Sequence, residues 1–553
     1  MASLLPFVML CLFLSVISTA AALRPMLPFF RHNLHRQHEK MFIADDNDQT
    51  VLNCSSDPNI EEKWFTQKLD QFAANDQKTY GQRYYVNWKF YDKNASQPPV
   101  FLMIGGEGEM SIRWSCWENY TYMQLAKENK AIVVQLEHRF FGLNKDMPDL
   151  STPNLVHLTS EQALADIAAF IPAFNAQYNL TNPRWVAFGG SYPGSLAAWL
   201  RVKYPNITVG NVASSAPLWP KVNFWEYSDV MERTINDTSV DCYKNVGQSF
   251  KDLKALTYTK EGRDRLNEIF KLEPKLEANS DDITTLFGYV FGAFQGIIQY
   301  TYDARNTANL NGLNIMNACK MMNDDKSGTL DLVQRLASVA DWDAKKEDPD
   351  NYNPKVDVSY VDNLKPFLNT SLAAPGASMR GWMWLSCNEF GWLQTTDKGN
   401  SLFGDILSLG SFMKLCIDLF GPPMTNSYIE QQVAKARDTF GTSWTYNATN
   451  VILPNGAFDP WSALGTTTSN PDGHQIAITT PGAAHCSDMY PAYKDEPVKL
   501  AETRKRVREE VNYYLNASYV PEQPGQNNGA MFSGPFLPQS LLMFVTIALF
   551  VMF

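Results

Sequence analysis

Histidine is scarce in this chain, seven in 553 residues, and the spaced patterns that would make it a metal ligand are missing. Neither an HExxH helix nor a CxxC pair occurs, so no ligand set for a metal can be assembled. No glycine-rich loop ends in Lys, which leaves nucleotide phosphates without a cradle. Positive charge is also in deficit: 47 Lys and Arg stand against 58 Asp and Glu, for a net charge of -11. With no basic stripe interleaved with aromatics, the chain has little with which to attract a phosphate backbone. No metal, no cofactor and no nucleic-acid partner are expected. The two long apolar runs, one at each end, are both short for a membrane span. No internal repeat is apparent. What remains is a globular composition in a chain long enough for a large core and more than one folded unit.

The ends read as addresses. Leu4 to Ile17 is apolar and Ala20-Ala21-Ala22 offers small residues for cleavage, so 1–22 is expected to be a secretory signal peptide, although its n-region lacks Lys or Arg. Residues 23–58 show little periodicity and read as a propeptide or loose lead-in. At the other end, within a linker and tail over 521–553, Asn528-Gly529-Ala530 is followed by a spacer and then by apolar Leu541 to Phe553. That is the layout of a GPI-anchor signal, with an uncleaved membrane tail as its rival. Nine N-x-S/T sequons, at Asn53, Asn94, Asn119, Asn179, Asn206, Asn236, Asn369, Asn447 and Asn516, point to a glycosylated exterior. Once Cys11 leaves with the signal, Cys54, Cys116, Cys242, Cys319, Cys387, Cys416 and Cys486 are disulfide candidates in an oxidising compartment. Their number is odd, so one is free or pairs outside the chain, and connectivity is open. The expected location is the secretory pathway, ending outside the cell or at its surface, with the lysosome as alternative.

The chain is organised around Arg184 to Pro205. Trp185-Val186-Ala187-Phe188 reads as a buried strand, Gly189-Gly190-Ser191-Tyr192-Pro193-Gly194 as a sharp turn, and Leu196 to Val202 as a helix that Pro205 stops. Strand, glycine turn with a central Ser, then helix is the nucleophile-elbow layout of α/β-hydrolases. Pro193 stands where the usual pattern has its last glycine; it suits a first helical turn and leaves the N–H of Tyr192 available. Upstream, strands are expected at 84–91, 99–104 and 132–136, with a helix over 160–173. Downstream, 210–216 reads as a further strand. Alternating strands and helices imply a doubly wound, mostly parallel sheet. Its first part is placed at 59–220 and its second at 435–520, the latter carrying strands at 451–453 and 475–479 and a helix at 498–515. Between them, 221–434 is dominated by helical segments and reads as a disulfide-stapled cap inserted over the active end of the sheet.

Serine needs a base. Triads of this class run Ser, acid, His, which leaves His474 and His485. His485 lies just past the carboxyl end of the 475–479 strand, where an open α/β sheet places its ligands, and His474 lies before that strand. Asp459, on the loop after 451–453, falls at the same edge and is the expected acid. The oxyanion is expected to meet the N–H of Tyr192 and an N–H from the Gly105-Gly106-Glu107 loop.

With these pieces placed, the chain resembles the S28 family of serine peptidases. The resemblance rests on Trp64 to Asp70, Gln82-Arg83-Tyr84, Gly106-Glu107-Gly108, Glu137-His138-Arg139-Phe140-Phe141-Gly142, Leu158 to Leu164, the elbow, Asn455-Gly456 through Trp461, and His485-Cys486. It is nearest in wording to the thymus-specific-protease-like branch. It implies an α/β-hydrolase core with a helical cap, a charge-relay set on Ser191, Asp459 and His485, and removal of residues next to proline at a chain end. Ser195 stands where prolyl-carboxypeptidase-like members have Met, while Trp461, Trp384 and Met383 could wall a proline pocket. The expected partners are peptide substrates and a membrane reached through the anchor, with a homodimer left open. A catalytically silent surface binding protein and a secreted esterase are the competing readings.

Overall fold

The computed structural model describes residues 54–302, 312–324, 328–349, 352–398, 402–494 and 496–517. The expected signal peptide, almost all of the lead-in, Asn53 and the C-terminal signal lie outside them. Ten strands occur among the described residues: β1 (Ile60–Lys68), β2 (Thr79–Asn87), β3 (Pro99–Ile104), β4 (Ile132–Leu136), β5 (Arg184–Gly190), β6 (Gly210–Ser214), β7 (Lys221–Asn223), β8 (Gly391–Leu393), β9 (Val451–Gly456) and β10 (Gln475–Thr480). Eight form one sheet in the order β1-β2-β4-β3-β5-β6-β9-β10. β2 is antiparallel to both its neighbours, and every pairing from β4 to β10 is parallel. This is the α/β-hydrolase fold expected from the sequence. β3 is an unbroken apolar run, and β4 is apolar apart from Gln135, whose side chain accepts from the Ser115 hydroxyl, because both faces of a parallel sheet are covered. β1 lies at the edge and keeps Glu61 and Lys63 toward water.

Four helices bear on the site: α1 (Ser160–Gln177), α2 (Tyr192–Lys203), α3 (Ser280–Gln299) and α4 (Val498–Asn516). α1 runs a turn beyond the expected end at Ala173, straight through Pro172. Proline removes one donor there, but Phe170 and Phe174 pack edge-on against Tyr84, with ring centroids 5.1 and 6.2 Å apart, and tertiary packing outweighs local propensity. β2 begins earlier than expected and stops at Asn87, because the chain turns back at Trp88, whose carbonyl accepts from Tyr91. The region 221–434 is largely helical, as anticipated, but carries the two short strands β7 and β8, paired in a sheet of their own. Disulfides join Cys54 to Cys116, Cys242 to Cys319 and Cys387 to Cys416. Cys486, counted above as a candidate, is instead the buried free thiol among the described cysteines. All eight sequon asparagines within the described residues are exposed, as attachment of a glycan requires.

Three consecutive polar residues after β4 tie the sheet to its surroundings. Glu137 takes a two-pronged contact from Arg83, at 2.6 and 3.1 Å. Arg139 grips Asp166 of α1 with two bonds of 2.7 Å, and Tyr80 adds a third donor to the same carboxylate. Both partners are almost fully buried, so removing one strands a charge in a low-dielectric interior. Arg139→Ala should therefore lower stability by roughly 3–5 kcal/mol. A shift of the urea midpoint to lower concentration, with the slope kept, is the expected readout.

Candidate active site

Ser191, between the end of β5 and the start of α2, has φ 64° and ψ -133°, a conformation L-residues adopt only when their surroundings enforce it. The enforcement is visible on both sides. The N–H of Ser191 donates to the Ser214 carbonyl of β6 at 2.9 Å, and its own carbonyl accepts the first helical bond of α2 from Ser195. A side chain at Gly189 would lie 2.1 Å from the Pro193 carbonyl, so the strand and the helix can meet only over glycine. Pro193 occupies the first turn of α2, where its missing N–H costs nothing.

The register of β9 and β10 decides where the other two residues fall. Gly456 faces Thr480, so both strands run out at one edge. Asp459 lies three residues past that edge, and His485 five residues past it. His485 Nδ1 is 2.9 Å from Asp459 Oδ2, and both side chains are fully buried. The other carboxylate oxygen of Asp459 accepts the N–H of Trp461 at 2.9 Å. An acid that only accepts fixes the tautomer: Nδ1 carries the proton and Nε2 the lone pair. Burial, the largest single influence, favours the neutral ring, but the Asp459 carboxylate and the adjoining Cys486 together outweigh it and push the His485 pKa up. The segment is docked against the elbow. Cys486 donates its N–H to Ser215 Oγ at 2.9 Å, and its thiol lies 3.9 Å from the Ser214 carbonyl that also holds Ser191. His474, passed over above, stacks on Tyr513 with ring centroids 3.7 Å apart.

Not every expected oxyanion donor is free to serve. The N–H of Gly105 is committed to the Leu136 carbonyl at 2.8 Å, which corrects its inclusion. Gly106, Glu107 and Tyr192 are the other expected donors. Gly106 sits against Pro193, where an added Cβ would come within 2.5 Å of Cγ, so this loop lies over the first turn of α2. The pocket residues divide in the same way. Trp461 lies beside His485, with ring centroids 6.5 Å apart. Met383 is buried in the helix Ala377–Leu385. Trp384 turns away: its indole N–H donates to the Leu158 carbonyl, and with Glu389 and Tyr428 it lines a separate cavity of about 210 Å³. Ser195 is also excluded, since its hydroxyl is buried against the Pro217 carbonyl at 2.6 Å. Two indoles that the sequence did not single out, Trp382 and Trp392, also pack around Trp461. Trp382 lies 6.0 Å from Tyr192 and 6.4 Å from Trp461, and Trp392 lies 5.7 Å from Trp461. Within the Trp382-Met383-Trp384 run, spacing alone gave no reason to choose the first indole over the second.

Comparison with known proteins bears on this geometry. The family model described as "Serine carboxypeptidase S28" matches residues 67–507. The chain belongs to the S28 serine peptidases. A Caenorhabditis elegans relative named "Putative serine protease F56F10.1" is 42% identical over 509 residues, covering 88% of this chain and 93% of that one. The thymus-specific serine protease of Mus musculus is 29% identical, over 82% of this chain and 87% of its own. The lysosomal Pro-X carboxypeptidase of Homo sapiens is 27% identical, over 80% and 85% respectively. Among the described residues no helix is long and apolar enough to cross a membrane.

Beneath the elbow of this S28 peptidase runs a buried polar chain with a fixed sense. Burial holds His138 neutral by pulling its pKa down to about 3, and its Nδ1 lies 2.8 Å from the Arg139 carbonyl, an acceptor. Nε2 must then accept, taking the hydroxyl proton of Tyr192 at 3.0 Å; Tyr192 in turn accepts from Ser160 at 3.1 Å. The N–H of Ser160 ends on the Glu389 carboxyl, whose pKa burial pushes up to about 8. The sign follows. Folded Glu389 keeps a proton that the unfolded chain has released, so its contribution is full below the ordinary Glu pKa and is lost as pH rises through about 8. Glu389→Gln, which cannot titrate, should gain stability relative to the parent between pH 5 and 8.5. Melting temperatures of the two proteins across that range should converge or cross in this direction.

Proposed function

We propose that this S28 peptidase is an exopeptidase that cuts peptides through an acyl-enzyme formed on Ser191. The observation that carries the reading is the hydrogen-bonded His485–Asp459 pair, buried at the edge where the strained Ser191 turn is held. His485 Nε2 takes the hydroxyl proton as Ser191 Oγ attacks the peptide carbonyl, and later returns it to the leaving amine. Asp459 holds the ring and stabilises the imidazolium that forms. The N–H groups of Tyr192 and of Gly106 or Glu107 receive the negative oxygen. Residues 221–434 act as a cap, supported by Tyr227, Gln299 and Tyr300, which close on Trp461 and His485. A covered cleft admits chain ends better than mid-chain loops.

A preference for proline beside the scissile bond is supported by the cluster of Trp382, Trp392 and Trp461 next to His485, apolar surroundings that suit a pyrrolidine ring. The Pro-X carboxypeptidase relative points the same way. Three disulfides and exposed sequons support a secretory or lysosomal location. The C-terminal signal supports a GPI anchor, and release from cells by phosphatidylinositol-specific phospholipase C is the expected result; retention counts against it.

A fluorophosphonate should label Ser191, and Ser191→Ala should lose both labelling and hydrolysis. Asp459→Asn, which presents the wrong tautomer to Ser191, should lower kcat by about 10⁴-fold. Short peptides with proline second or penultimate should be cut faster than their alanine analogues and than simple esters. Equal rates on esters and peptides would favour an esterase, and no labelling of folded protein would favour a silent binding protein.

A further inference from the structure

Gln299 closes α3, a helix drawn from the proposed cap, and its groups reach the reactive pair by two routes. Its backbone carbonyl, one of the last-turn carbonyls that a helix leaves without an internal donor, accepts the N–H of His485 at 3.0 Å. Its side-chain Oε1 accepts from the indole of Trp461 at 3.0 Å and from the Tyr227 hydroxyl at 2.6 Å, and Nε2 donates to the Tyr300 hydroxyl at 2.6 Å. The indole can only donate, so the amide has one orientation that satisfies the site. Trp461 gives its backbone N–H to Asp459, and Asp459 holds His485. The circuit is therefore closed: His485, Asp459, Trp461, Gln299 and back to His485. Gln299 is almost fully buried.

We infer that Gln299 is a positioning residue through which the cap holds His485 and Trp461 in the reactive arrangement. The inference rests on the catalytic reading of Ser191, Asp459 and His485 above. A small displacement of the imidazole degrades proton transfer much more than it degrades binding, so the loss should appear in kcat.

Gln299→Met keeps the volume and the helix while deleting the amide. Its expected effect is a fall of about 10–100-fold in kcat and in the rate of fluorophosphonate labelling, with KM within about twofold. Gln299→Glu, which keeps the acceptor for Trp461 and Tyr227, should recover much of that loss. Trp461→Phe should reproduce it, and the Gln299→Met/Trp461→Phe pair should be no worse than the poorer single variant. Should Gln299→Met fail to fold, Gln299→Glu and Trp461→Phe carry the comparison. Labelling and kcat within twofold of the parent, or a change confined to KM, overturns the role of Gln299 while the labelled parent leaves Ser191 standing. A parent that is folded but never labelled at Ser191 removes both.

Discussion

Everything at this site depends on one buried contact, the hydrogen bond between the His485 imidazole and the Asp459 carboxylate. Each group alone would be unwelcome in a dry interior: a lone carboxylate pays heavily for desolvation, and a lone imidazolium would shed its proton. Together they are tolerated because each oxygen of Asp459 has a donor, from Nδ1 of His485 and from the N–H of Trp461. The sheet supplies the rest. β9 and β10 are parallel and in register, so loops of three and five residues suffice to bring acid and base together. On the other side of β6, the Ser191 turn is held by the same Ser214 carbonyl that the Cys486 thiol approaches. Strain at Ser191 and burial at His485 are thus two consequences of packing four strand ends onto one rim.

The helical region between the two parts of the sheet belongs to this arrangement chemically. α3 ends on the backbone of His485, and Trp382 and Trp392, from the same region, pack around Trp461. The buried His485–Asp459 pair and the indoles packed beside it are therefore held by overlapping sets of residues. A lesion in the helical region that leaves the sheet untouched can still reach the imidazole. The buried chain beneath the elbow, from Glu389 to His138, plays the complementary part from below by fixing Tyr192, the residue that follows Ser191.

Much of this was legible in the sequence for identifiable reasons. Strand–turn–helix around Ser191 is a local pattern, and local patterns survive folding. His485 was separable from His474 because strand direction decides which side of a strand can face the site. What escaped was non-local. Pairing of Cys54 with Cys116, and the isolation of Cys486 in the core, follow from three-dimensional distances that spacing does not encode. Gly105 looked like a donor because loop glycines often are, but the sheet had already claimed its N–H. Trp384 was misplaced through a helical-phase ambiguity, since neighbouring residues on a helix face different ways, whereas Ser195 was named from the family resemblance alone and its hydroxyl is spent on the Pro217 carbonyl. Gln299 carried no signal at all, being an ordinary residue at the end of an apolar helix.

The most direct test of the account is a crystal structure of the protein after reaction with a peptidyl phosphonate. Phosphorus should be bonded to Ser191 Oγ, with its anionic oxygen within hydrogen-bond reach of the Tyr192 N–H and of Gly106 or Glu107, and with His485 Nε2 facing Oγ. Phosphorus on another residue, or an imidazole at 485 turned away from the adduct with its bond to Asp459 broken, would contradict it.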